Sequence, residues 1–126
     1  MEKVEKGYKV VRRVGNVLDG NEFTGAIFGD VLYYPGIWAY SPPGYGPLGV
    51  FDSYYAALVF ADLGLYSVTE IWEVDYVKSN EVCMWTPKIT MHTPFPTGTV
   101  LAESVKLRKK AEEPIDRIDR LEGVVS

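Results

Sequence analysis

Before residue 110, only one stretch of this 126-residue chain has the pattern of a helix. It is Tyr54–Leu63, entered through Asp52 and Ser53, either of which can cap it, and followed by Gly64 where a left-handed C-terminal cap belongs. Ala56, Ala57, Leu58, Val59, Phe60 and Ala61 make it apolar or small on almost every side. Such a helix is expected to pack on more than one side, across a sheet and against another subunit. The other apolar runs of this region are short, extended in pattern and punctuated by Gly or Pro, which leaves a sheet-dominated domain.

The strands can be placed. Residues Gly7–Val14 alternate, with Tyr8, Val10, Arg12 and Val14 on one face, expected to be the core face, and Lys9, Val11 and Arg13 on the other. Gly15-Asn16 can bend this strand and Asp19-Gly20 is a turn signal; Phe23–Phe28 and Val31–Tyr34 flank Gly29-Asp30 at hairpin spacing, giving an antiparallel meander. Pro35-Gly36 suits the centre of a type II turn, Ile37–Tyr40 is a short strand, and Ser41–Gly49 is a loop. In Val68–Val77, Trp72, Val74 and Tyr76 share one face; Ile71, Glu73, Asp75 and Val77 share the other, expected to meet solvent. Met84-Trp85 and Ile89–Met91 add short strands, Pro94-Phe95-Pro96 is a rigid connector, and Thr99–Lys109 is a long strand. From Ala111 to Leu121 the period becomes helical, with Ile115, Ile118 and Leu121 on one stripe. The expected architecture is α+β: one domain over residues 1–110, a curved antiparallel meander with a central helix, and a C-terminal amphipathic helical tail over 111–126.

Composition narrows the function. Hydrophobic residues are 47% and charged residues 24%, globular values, and the single cysteine excludes an internal disulfide. The net charge of −4 argues against a non-specific nucleic-acid binder, which needs cations along phosphates. Met1–Lys6 is charged with no apolar core behind it, and the longest nearly apolar run, Tyr54–Leu63, is too short to span a bilayer. An intracellular protein without membrane attachment is expected.

Few residues carry chemistry. Gly44, Gly46 and Gly49 spell G-x-G-x-x-G, but Pro47 removes an amide donor and a strand follows where a dinucleotide site needs a helix, so a loop is expected. Cys83 and His92 cannot make a structural zinc site, and Asp30, Glu70, Glu73 and Asp75 lack calcium-loop spacing; no metal and no cofactor is expected. Glu73 and Asp75 lie on one strand face, about 7 Å apart, a spacing open to acid–base work. Alternation turns Arg12 and Glu103 toward the core, where each needs a partner, so they are expected to meet or to line one pocket. Tyr33, Tyr34, Trp38, Tyr40 and Tyr45 crowd the central region and form a candidate patch for bases, sugars or a protein. The basic run Lys106–Lys110 is usual for a solvated strand end.

Five segments occur in order: Gly7-Tyr8-Lys9-Val10-Val11-Arg12, Tyr33-Tyr34-Pro35-Gly36-Ile37-Trp38, Gly49-Val50-Phe51-Asp52-Ser53 with Ala56-Ala57, Glu70-Ile71-Trp72-Glu73-Val74, and Pro96-Thr97-Gly98-Thr99-Val100-Leu101-Ala102. Over residues 7–109 this order resembles small uncharacterised proteins of phages and archaeal viruses. The resemblance implies a viral origin, in a hyperthermophilic archaeal host and its cytoplasm, and no activity. A more distant likeness, to ADP-ribosyltransferase-like folds, rests on an early strand with an Arg (Arg12) and a late strand with a Glu (Glu103, or Glu73), with Ser53 or Tyr54 between. It implies a nucleotide- or NAD-utilising enzyme. The leading expectation is instead a non-enzymatic, self-associating binding protein. Its candidate patch is Arg12, Glu103, Tyr33, Tyr34, Trp38 and Tyr45, and its interface candidates are Ile115, Ile118 and Leu121.

Overall fold

Alternating β-branched and aromatic side chains keep residues 4–13 extended as β1 (Val4–Arg13). The computed structural model describes residues 3–14, 22–25, 31–62, 69–85, 90–91 and 95–112. After β1 come β2 (Phe23–Gly25), β3 (Leu32–Tyr33), β4 (Trp38–Tyr40), β5 (Leu48–Phe51), α1 (Tyr54–Asp62), β6 (Glu70–Lys78), β7 (Met84–Trp85), β8 (Thr90–Met91) and β9 (Thr99–Lys110). Gly15-Asn16, Asp19-Gly20, Gly29-Asp30, Gly64, His92 and the tail stripe Ile115, Ile118 and Leu121 lie outside the described residues.

The main sheet has seven strands, and part of it closes on itself. β1 pairs with β6 from Val4↔Val77 to Val11↔Glu70, β6 pairs with β9, β9 with β5, and β5 returns to β1 at Tyr8↔Phe51. β2 and β3 extend from the far end of β1, and β4 lies along β9 through Trp38↔Lys106. All of these pairs are antiparallel. The expected meander therefore holds only for β1-β2-β3. The later strands cross over, and closure satisfies backbone groups that an open meander would leave at its edges.

Closure also buries both faces of β1. Inside the ring, Val11 packs with Phe23, Tyr33, Trp72, Val105 and Leu107. Outside, Val10 and Phe51 pack with Ala57 and Phe60 of α1, flanked by half-buried Tyr8 and Ile71. Burying the Phe60 ring there stabilises the helix–sheet contact by about 1.5–3 kcal/mol. The expectation that the Tyr8–Val10–Arg12 face looks into the sheet's core is corrected: that face meets the helix, and Lys9 and Val11 point into the ring.

Local chemistry sets the helix and the turn. Ser53 Oγ accepts the Ala56 N–H at 3.1 Å, the expected N-cap. The buried residues of α1 are Ala57 and Phe60, while Val59 is 65% exposed, so the helix docks on one side. Gly36 takes φ 82°, and Ile37 N–H donates to the Tyr34 carbonyl at 3.1 Å, closing the expected Pro35-Gly36 turn. The glycine-rich loop runs straight into β5, as expected, and Gly46 N–H is taken by the Trp85 carbonyl at 2.7 Å, leaving no phosphate cradle before a helix. Among the described residues, no helix is long and apolar enough to cross a membrane.

Candidate functional site

Cross-strand register lines up one row on the outer face of the sheet: Lys6 on β1, Asp75 on β6, Lys106 on β9 and Trp38 on β4. The next row is Tyr8, Glu73 and Lys109. α1 covers the outer face near Val10 and Phe51 and reaches Tyr8 of the second row, whose ring meets Tyr54 at 5.9 Å between centroids.

A bulge in β9 enriches the face. Glu73 pairs with Lys109 and Val74 with Leu107, so Arg108 is an extra residue with no opposite number. A bulge sets two residues of one strand against one of its partner and re-aims their side chains. Arg108 and Lys109 consequently both serve the outer face: Arg108 Nη1 lies 2.7 Å from Asp75 and Lys109 Nζ lies 3.5 Å from Glu73.

Three cations converge on Asp75: Arg108, Lys6 at 3.2 Å and Lys106 at 4.0 Å. Asp75 is only 5% exposed, covered by the long side chains of these cations at the sheet surface. Burial pushes its carboxyl up, but the hydrogen bonds and charges of Arg108 and Lys6 outweigh that and hold it below its ordinary 3.8. The expected solvent-facing carboxylate is thus a buried anchor. It stays ionised at neutral pH and so cannot serve as a general acid, and the contacts to Arg108 and Lys6 that lower its pKa also weaken it as a base. The cations keep much of their exposure, 80% for the Lys6 side chain and 50% for Arg108. Beside them lies a cleft of ≈ 490 Å³, bordered by Lys6, Tyr8, Glu73, Asp75, Arg108 and Lys109, with Asp52 at its helix end. The arrangement can hold an anion: Lys6 and Arg108 share one carboxylate and face water, with the Lys106 side chain, 26% exposed, beside them.

Trp38 closes the row, with Lys106 Nζ 5.2 Å from its ring centroid. Tyr40, on the same face of β4, is 65% exposed. The other aromatic candidates disperse. Tyr34 is 38% exposed in the turn and Tyr45 is half-buried in the loop. Tyr33 is buried inside the ring beside Lys9, whose Nζ sits 5.0 Å from the ring centroid and donates to the Gly49 carbonyl at 2.6 Å. Burial pushes the Lys9 amine down to about 8 and the Tyr33 hydroxyl up.

Arg12 and Glu103 do not meet. A second register break between Val77 and Lys78 skips Glu103, which is exposed. Arg12 is half-buried on the face of Val10, with its Nε shielded and lacking a hydrogen-bond partner among the described residues. On β9 strict alternation fails at Glu103 because of the register break, while on β1 alternation holds and it is the face of Val10 and Arg12 that lies outside the ring. At the mouth of the ring the pairing is instead Arg13 with Glu70 at 2.5 Å, braced by Trp72 Nε1 at 3.2 Å.

No protein-family model, no curated protein and no solved structure matches this chain. The face has to be understood from its own chemistry. Among the described residues, no group of three or more His, Cys, Asp or Glu side chains could hold a metal ion. Lys6, Asp75, Lys106 and Arg108 were not grouped from sequence. The signal was present in the alternation of β9, where Val105 and Leu107 on one face leave Lys106 and Arg108 together on the other.

Proposed function

We propose that this chain is a non-enzymatic binding protein that holds an anionic partner on the outer face of β1, β6 and β9. The observation that carries this reading is the convergence of Lys6, Lys106 and Arg108 on the single carboxylate of Asp75, with Lys6 and Arg108 still exposed at a cleft that Lys109, Glu73 and Asp52 also border. Asp75 orients the cations, and their remaining hydrogen-bonding capacity faces solvent. A viral setting in a host cytoplasm is part of this proposal, and its one ground is the resemblance of the motif order to small phage and archaeal-virus proteins. The test is binding of inorganic polyphosphate, followed by calorimetry at low and moderate salt. Affinity is expected to fall with salt and to be lost in the Lys6→Glu, Arg108→Glu double variant. Equal or absent binding in both proteins would overturn the reading.

Self-association is a second reading, supported by exposed Leu32 (45%), Ile37 (61%) and Val59 (65%). Light scattering coupled to gel filtration tests it, and a strict monomer at high concentration excludes it. The nucleotide- or NAD-enzyme reading put Arg12 in one site with Glu103 or Glu73; Arg12 pairs with Thr24, Glu73 pairs with Tyr8 four residues back along β1, and Glu103 falls at a register break on β9, so neither carboxylate lies opposite Arg12.

A further inference from the structure

We infer that the anionic partner is a single strand of nucleic acid, with bases stacked on Trp38 and Tyr40 and phosphates against Lys6, Lys106 and Arg108. This inference rests on the anion-binding reading of the same face. It goes further because the cationic row ends on aromatic rings. Lys6, Asp75, Lys106 and Trp38 occupy one register row across four neighbouring strands, so charge and ring lie on a continuous surface.

Trp38 and Tyr40 point to the same side of β4, two strand steps apart, about 7 Å. That is about twice the 3.4 Å step between stacked bases of a duplex strand. Successive bases pulled apart along an extended strand would each find a ring. The turn from Tyr34 to Ile37 is held against β9 by the Gly36 N–H to Leu107 carbonyl bond of 2.9 Å, which keeps β4 beside the cations.

Lys106 serves both halves of the surface. Its ammonium is 5.2 Å from the Trp38 centroid and 4.0 Å from Asp75. Drawn toward a phosphate, it leaves the indole face to a base. A duplex hides its base faces, and an acidic peptide engages the cations without a use for exposed rings. Single strands satisfy both, and stacking tolerates any base sequence. The chain's net charge of −4 is not spread evenly: on this face Lys6, Lys106, Arg108 and Lys109 stand against Asp52, Glu73 and Asp75, an excess of one cation.

The experiment is fluorescence anisotropy with a labelled oligothymidylate at low salt, with an unlabelled duplex and inorganic polyphosphate as competitors. Tyr40 is 65% exposed, so Tyr40→Ala leaves the fold intact, which circular dichroism checks. The expected result is oligonucleotide binding that Tyr40→Ala weakens about tenfold or more, with polyphosphate binding unchanged. Lys6→Ala is expected to lower the salt slope by about 0.7, the share of one single-strand phosphate contact. Trp38 supplies an independent readout, quenching of indole fluorescence on binding, lessened in Trp38→Phe. Polyphosphate binding with no effect of Tyr40→Ala on the oligonucleotide, or tighter duplex binding, would overturn this inference and leave the anion-binding face standing. Failure of every anion to bind would overturn both.

Discussion

Arg108 donates to Asp75 at 2.7 Å from a bulged position on β9, and this contact ties the end of that strand to the centre of β6. Asp75 also accepts from Lys6 at 3.2 Å, so one carboxylate joins three strands. Asp75→Ala removes charge-assisted hydrogen bonds and leaves cations that can turn to water, so the loss is expected to be about 1–3 kcal/mol in urea unfolding at pH 7. The Asp75 carboxyl is held below 3.8 in the fold. Its contribution is therefore complete above that value and fades as pH falls through the folded pKa. The wild-type protein should lose stability on acidification below about pH 4 more steeply than Asp75→Ala does. Parallel acid profiles would contradict this.

Lys9 produces the opposite pH dependence. It is 6% exposed, and its amine titrates near 8 in the fold against 10.5 unfolded. Below pH 8 both states are protonated and the fold bears a buried ammonium. Between 8 and 10.5 the unfolded chain binds more protons, so stability rises with pH. The full gain is about 3 kcal/mol at 1.36 kcal/mol per unit. Lys9→Met is expected to remove that rise and to be as stable as wild type or more so at pH 7. Urea midpoints at pH 7 and 9.5, compared between the two proteins, check it.

Gly7 stands where β1 begins to close on β5. A Cβ there would lie 2.7 Å from the Phe51 carbonyl oxygen and 2.9 Å from the Tyr76 ring. The carbonyl belongs to backbone that pairs with both β1 and β9, so it cannot move aside cheaply. Gly7→Ala should destabilise by about 1–3 kcal/mol, read as a lower urea midpoint. A midpoint equal to wild type would mean that this closure is looser than the geometry implies.

Ser53 caps α1 through the Ala56 N–H. Ser53→Ala should cost about 1 kcal/mol, while Ser53→Asp should retain most of the stability, since aspartate caps as well. Thermal unfolding of the two variants distinguishes the cap from a simple loss of packing, which both would share.

Much of the local structure was legible in the residues themselves. Ser53 before Tyr54, Pro35-Gly36 and the inward face Trp72, Val74 and Tyr76 were all readable, and the structure has each in place. The candidate site was less so. Of the aromatic group, Trp38 and Tyr40 share the open face, but Tyr33 went inside. Arg12 and Glu103 failed as a pair for two reasons: the Val10 face of β1, which carries Arg12, meets the helix, and a register break on β9 skips Glu103.

The chain on its own determined the capped helix, the turn and the strands, since these depend on neighbours a few positions away. Tertiary structure decided which face of β1 is inside, because ring closure at Tyr8↔Phe51 gives that strand two buried faces and puts Lys9 in the interior. It also decided that Arg108 and Lys109 stand together with Lys6, Lys106 and Trp38. A bulge shifts the sense of every later residue by one, and that shift is settled by pairing with a strand more than thirty residues away, as between Asp75 and Arg108.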